Sequence, residues 1–274
     1  MIRKITDILK DKEKTYSFEF FPPKTEKGRT KLIETAGVFA DLGPDWFSVT
    51  YGAGGSTREA TMEIVDDLQK RFGVPVMHHF TCVGHSKDKI KSVIEEMKKR
   101  NIRNILALRG DAPEGERDWK PDPEGLEYCY QLIELIRADG DFFSIGVAGF
   151  PEGHIDCPDK ETDSRYLKMK IDSGGEFVIT QLFFDNKDYF EYLERTKKVG
   201  VNVRILPGII PITNYQKLLK FCDICGATIT KRCMIYLSRS MEMTRLLIRQ
   251  ALSLWLSNVM SYLKVGRRGC IFTR

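Results

Sequence analysis

Apolar, β-rich runs recur along the chain at intervals on the order of 30 residues, the length of one βα unit. They cover residues 16–21, 46–51, 76–82, 104–108, 143–148, 177–182 and 203–207. Between them, apolar positions spaced three and four apart predict helices at 30–42, 59–72, 87–100, 126–138, 164–172, 188–198 and 215–222, after a short helical start that ends near Lys10. Continuous apolar strands separated by amphipathic helices imply an α/β protein whose parallel sheet is covered on both faces. Seven such units suit a (β/α)8 barrel, and a doubly wound open sheet stays open on pattern alone.

The first run contains an anomaly. In Ser17-Phe18-Glu19-Phe20-Phe21-Pro22-Pro23, strand alternation places Tyr16, Phe18 and Phe20 on one face and Ser17, Glu19 and Phe21 on the other. The two prolines stop the ladder directly afterwards. A carboxylate there is either a surface residue on a half-exposed strand or a desolvated acid whose raised pKa lets it donate a proton near neutral pH. Other strands also end in polar or special-geometry residues: Thr50-Tyr51-Gly52-Ala53-Gly54-Gly55, His79-Phe80-Thr81, Arg109-Gly110-Asp111, Phe150-Pro151-Glu152-Gly153-His154, Gln181, and Pro207-Gly208-Ile209-Ile210-Pro211. Each has a plain structural account, such as a flexible turn, a core histidine or a helix cap. Their recurrence at the same end of successive strands describes a polar site at one face. His78 points to the opposite face and reads as structural.

Composition narrows the chemistry. With 274 residues and 42% hydrophobic content the chain can bury a full core. No apolar run reaches membrane-spanning length and the N-terminus lacks a signal-peptide pattern, so the expectation is a cytoplasmic protein with no membrane partner. Seven cysteines at irregular spacing suit reduced thiols. Cys222 and Cys225 read as ordinary helix residues, and no cluster has metal-ligand spacing, so no metal is expected. The net charge of +5 suggests no nucleic-acid partner, because residues 1–228 are slightly acidic and the whole basic excess lies in 229–274, with nine Lys or Arg against Glu242. Acids, amides, aromatics and an Arg, without a nucleophile elbow or a phosphate loop, suit a large planar cofactor that brings its own redox chemistry.

The strand-end motifs, with Ser48-Val49-Thr50-Tyr51-Gly52-Ala53, Ala107-Leu108-Arg109-Gly110-Asp111 and Ile179-Thr180-Gln181-Leu182-Phe183-Phe184-Asp185, resemble the methylenetetrahydrofolate reductase family in order from about Tyr16 to Ile229. The resemblance implies an FAD-containing (β/α)8 barrel that reduces 5,10-methylenetetrahydrofolate with NADPH or NADH. It assigns Glu19 as the acid that protonates folate N10, and Asp111 as a pterin-binding carboxylate that also tunes the flavin. Gln181 becomes the second pterin contact and Tyr215 the stacking aromatic. Carried over residue by residue, the FAD contacts are Thr50, Tyr51, His79, Leu108, Arg109, Gly110, Asp111, Tyr128, Phe150, His154, Asp163, Tyr166 and Lys170. Met169 stands where some relatives have Arg. A homo-oligomer stays open.

Beyond Ile229 the resemblance fades where the composition also shifts. Back-translated and read from the third base, Ser257–Leu263 yields Q-C-D-E-L-S and Arg268–Arg274 yields G-M-H-F-Y-T, both similar to the family's C-terminal segments. The expected organisation is therefore a seven-unit barrel over 1–228 and an atypical basic tail over 229–274, read out of frame. The last helix and eighth strand are then in doubt, and strands one and seven would end without partners. The alternative to an active reductase is an inactive, frameshifted product without stable cofactor binding.

Overall fold

The structure is a computed structural model that describes residues 2–50, 58–110, 122–210, 215–230 and 270–273. At 58–59, 215, 217 and 270–273 it describes the backbone alone. Strand and helix alternate as α1 (Ile5–Asp11), β1 (Thr15–Phe20), α2 (Glu26–Ala40), β2 (Trp46–Val49), α3 (Arg58–Phe72), β3 (Val76–Thr81), α4 (Lys87–Lys99), β4 (Asn104–Leu108), α5 (Cys129–Arg137) and β5 (Ser144–Gly149). There follow α6 (Lys160–Asp172), β6 (Phe177–Thr180), α7 (Asn186–Lys198), β7 (Arg204–Leu206), β8 (Gly208–Ile209), α8 (Tyr215–Cys225) and β9 (Cys270–Thr273). The chain forms two compact units, Met1–Ala148 with Met169–Val178, and Gly149–Lys168 with Ile179–Arg274.

In the first unit β1 to β5 lie side by side in chain order and pair in parallel throughout. A doubly wound sheet reverses its strand order at a switch point. No reversal occurs across these five strands, which is the barrel pattern. One sheet face is covered by helices: Phe18 stacks on Phe39 of α2 at 4.5 Å, and Phe20 stacks on the same ring at 6.0 Å. Glu19 and Ser17 therefore point to the other face, and both are buried.

Helix α1 has no cap of its own, since Lys4 at its N-cap supplies no side-chain hydrogen bond. Its first N–H groups would be orphaned in a buried setting. The side chains that open β4 and β5 solve this: Ile5 N donates to Asn104 Oδ1 at 2.7 Å and Thr6 N donates to Ser144 Oγ at 3.1 Å. Asn104 Nδ2 returns a bond to Arg3 O at 3.0 Å. Asn104 and Ser144 are register partners, so the two caps sit side by side at the N-terminal end of the sheet.

At the other end of β4, two thiols engage its carbonyls. Cys82 Sγ donates to Arg109 O at 3.5 Å and Cys129 Sγ to Ala107 O at 3.2 Å. Burial pushes the Cys82 thiol up to about 12 and the Cys129 thiol up to about 11. No disulfide joins the described cysteines 82, 129, 157, 222 and 225, and Cys222 and Cys225 lie on α8, as expected.

In the second unit, Gly208 N donates to Thr180 Oγ1 at 3.0 Å, and a Cβ at Gly208 would fall 2.1 Å from Thr180 O, so only glycine permits this approach. Tyr189 OH donates to Ile205 O at 2.9 Å. The strand-seven end is not left without a partner. Gly208 and Ile209 pair in parallel with Phe272 and Thr273 of β9, which corrects that expectation and fills the strand position held in doubt. Pairing uses main-chain groups, so it tolerates an altered side-chain sequence. The last helix held in doubt lies outside the described residues.

Replacing Asn104 with Ala removes the cap of a buried helix start and should lower unfolding stability by about 1–3 kcal/mol, the cost of stranding buried donors. Urea denaturation measures this, and an unchanged midpoint would mean α1 needs no cap. A thiol reagent at pH 8 should modify Cys82 far more slowly in the folded chain than in urea, as read by peptide mass mapping. Because folded Cys82 and Cys129 stay protonated where unfolded thiols ionise, stability should fall as pH rises from about 8.5 towards 11.

Candidate active site

Parallel register brings the chemistry of the first unit together. Glu19 on β1 is opposite Ser48 on β2, and Ser48 is opposite Met77 on β3, which places His79 on the same face one pleat further along. His79 Nε2 lies 2.8 Å from Ser48 Oγ and 3.3 Å from Glu19 Oε2. All three are buried, Glu19 with 6% of its surface exposed. Glu19 is therefore no surface residue on a half-exposed strand.

Thr50 continues β2, with its backbone N donating to Phe20 O at 3.0 Å. Its buried Oγ1 has no hydrogen-bond partner among the described residues. Leu108 and Arg109 carry β4 into Gly110, whose φ of +91° lies in the left-handed region. A Cβ there would stand 3.0 Å from Thr81 Cβ and from Val83 Cγ1, so the turn holds a bare backbone beside the strand ends. Tyr128 is half exposed at the N-cap of α5, and Lys170 Nζ donates to Ala148 O at 2.6 Å.

The second unit carries the rest. The Phe150 ring meets the His154 ring edge-on at 4.6 Å. His154 Nδ1 accepts from Asp156 N at 3.1 Å, so neutral His154 carries its proton on Nε2 and presents a donor. Asp163 is buried on α6, while Tyr166 is 54% exposed. Gln181 is half-buried, with Oε1 accepting from Leu182 N at 2.9 Å and its backbone N donating to Gly149 O at 2.7 Å.

Glu19 with His79, and Phe150 with His154, are the site residues brought into direct contact. Tyr51 and Asp111 lie outside the described residues, as does the side chain of Tyr215, whose backbone opens α8. Two further residues were not among the expected ones. Ser48 is visible only once strands β1 and β2 are registered. Arg195 on α7 donates from Nη2 to Pro151 O and from Nε to Ser164 Oγ, each at 3.1 Å, and so ties down the loop that bears Phe150 and His154. An arginine three residues from the end of an amphipathic helix reads as a solvated charge, and no sequence signal separates it from its neighbours.

No helix among the described residues is long and apolar enough to cross a membrane. The described residues also contain no group of His, Cys, Asp or Glu that could hold a metal ion.

Comparison with known proteins places these observations. The family profile described as methylenetetrahydrofolate reductase matches residues 4–249. A methylenetetrahydrofolate reductase (NADH) of Zea mays is 37% identical over 239 residues, covering 84% of this chain and 40% of that protein. The 5,10-methylenetetrahydrofolate reductase of Pectobacterium carotovorum is 33% identical over 249 residues, covering 85% and 81%. That of Escherichia coli is 35% identical over 213 residues, covering 78% and 70%. The chain thus spans about 40% of the length of the plant relative and most of the bacterial ones. A solved structure from Clostridium thermocellum, described as an uncharacterized protein that binds two copies of 5-methyl-5,6,7,8-tetrahydrofolic acid, matches with a TM-score of 0.64 at 17% identity, over 98% of this chain and 91% of that one. Its likeness carries the fold, an α/β chain of the (β/α)8 barrel class. With the family profile spanning most of the chain and a bacterial relative matched over most of its own length, the chain belongs to the methylenetetrahydrofolate reductase family.

Proposed function

We propose that the chain reduces 5,10-methylenetetrahydrofolate to 5-methyltetrahydrofolate, with FAD as resident cofactor and NADPH or NADH as hydride donor. The observation that carries this reading is Glu19, a buried carboxyl at a strand end with a histidine nitrogen 3.3 Å away. A proton donor in that setting is what opening the folate's five-membered ring requires. The alternative of an inactive product is not favoured, because its premise of an unpartnered strand-seven end fails at Gly208–Ile209.

The residues present fit a flavin. Thr50 offers a buried hydroxyl without a partner among the described residues, and Gly110 offers bare backbone in a turn where a side chain would collide. Thr50, His79, Leu108, Arg109, Gly110, Tyr128, Phe150, His154, Asp163, Tyr166 and Lys170 are the described residues that would hold FAD by family resemblance. Tyr51 and Asp111 complete the set by family resemblance. When bound, the flavin supplies hydride transfer between reduced nicotinamide and the one-carbon unit of the folate.

The chain's own residues supply the rest. Glu19 delivers its proton to N10 as the bond from N10 to the methylene carbon breaks, leaving an electrophilic iminium carbon on N5. Glu19 enters this step as the neutral acid, the form that burial favours in a carboxyl. Gln181, whose amide oxygen already accepts from Leu182 N, turns its amide N–H groups to the pterin carbonyl. Asp111 accepts from the pterin's amino edge, and Tyr215 stacks on folate or nicotinamide.

Glu19→Gln keeps the shape of the carboxyl and removes its proton. Reduction of bound flavin by NADH or NADPH should be retained, while oxidation by methylenetetrahydrofolate slows about 10²–10⁴-fold, the range of a positioned general acid. Anaerobic stopped-flow absorbance separates the two half-reactions. A purified chain that takes up no FAD, or a folate step indifferent to Glu19→Gln, would sink the proposal.

A further inference from the structure

We infer that Ser48 is a positioning residue that acts through His79 to keep Glu19 a proton donor. The inference rests on the folate-reducing reading above and adds to it the device that sets the acid.

One ring nitrogen faces two oxygens. Nε2 of His79 lies 2.8 Å from Ser48 Oγ and 3.3 Å from Glu19 Oε2, with Ser48 and His79 both buried. In neutral imidazole this nitrogen is either the N–H donor or the lone-pair acceptor. As acceptor, its lone pair would confront Glu19 Oε2 and also be the target of the serine hydroxyl, and one lone pair cannot serve both. As donor, its single hydrogen serves both oxygens at once. It bonds principally to the nearer Ser48 and weakly to Glu19.

That division sets the acid. A hydrogen bond given to a carboxylate favours the ionised form, and a full charge-assisted bond does so strongly. With Ser48 taking the larger share, the contact with His79 orients Glu19 while adding little to the stability of its charged form. Oε2 is held toward the ring. Without the serine hydroxyl, the Nε2 hydrogen turns wholly to Glu19, the contact shortens, and the carboxylate is favoured over the acid. Ser48 touches neither folate nor flavin in this account, and its backbone ladder is independent of its side chain.

The test is Ser48→Ala in the full chain loaded with FAD. Folate-dependent flavin oxidation should slow about 10-fold, a part of the ~10²–10⁴-fold contribution of a general acid. The KM for methylenetetrahydrofolate and the rate of flavin reduction by NADH should each stay within about twofold. Long-range ¹⁵N spectra of the imidazoles, with His79 assigned through His79→Gln, give a second readout that needs no turnover. They should show the Nε2–H form of His79 in the parent chain and a downfield move of that proton in Ser48→Ala. An unchanged folate step, a parallel slowing of both half-reactions, or the Nδ1–H form of His79 would overturn the inference. A parent chain that never oxidises its flavin with folate overturns the functional reading instead, and the ring spectra still decide whether Ser48 holds His79.

Discussion

Everything at the strand ends depends on the burial of one carboxyl. An isolated ion of that size costs several kcal/mol to desolvate, against a total stability of about 5–15 kcal/mol for a domain. At 6% exposure Glu19 is met by the His79 ring nitrogen, which parallel register brings to it from β3. Shift β1 by one residue and Phe18 or Phe20 would take that place while Glu19 turned toward Phe39 of α2. Pro22 and Pro23 prevent the ladder from running on past the acid. Register, desolvation and termination are thus one constraint seen three ways.

The two ends of the same strands divide their work accordingly. At the N-terminal end the polar side chains are spent on structure: Asn104 and Ser144 cap α1 and close that end of the sheet. At the C-terminal end, Thr50 Oγ1 is buried without a partner among the described residues, and Gly110 adopts a φ of +91° that a residue with a Cβ would hold only under strain. Stability at one end offsets an unsatisfied group at the other. Arg195 extends the principle to the second unit, where it fixes Pro151 so that the Phe150 and His154 rings keep their edge-on contact.

Much of this was legible in the residues, for reasons that can be named. The β-rich runs located β1 to β7, since apolar continuity and prolines are local signals, and β4 at Asn104–Leu108 agreed to the residue, whereas β8 and β9 fell outside them. Helix starts were legible only where apolar periodicity began at the cap. Helix α6 starts at Lys160 instead of near Ser164 because Asp159 accepts from Thr162 N at 2.7 Å and extends it backwards through polar residues. Asp185 does the same for α7 and Thr25 for α2. Glu19 and His79 could be singled out by position, but their partnership could not, because it depends on which residue of β2 lies opposite which residue of β1. Ser48 was invisible for that reason, and Arg195 because a charge on an amphipathic helix reads as solvated.

The C-terminal strand shows where composition misleads. On the reading that residues 229–274 are out of frame, the last stretch should have forfeited its place in the sheet. Yet β9 is Cys-Ile-Phe-Thr, and the same stretch in the family-like frame ends in His-Phe-Tyr-Thr. Both are short runs of β-branched and aromatic residues, and both fit a pleated surface. The main-chain groups of Gly208–Ile209 ask only for an extended neighbour, which either sequence provides. A change of frame alters what the tail can pack and bind far more than whether its end can add to a sheet. The strand's presence therefore argues that the barrel's edge is served, and leaves the identity of the tail to be read from its side chains.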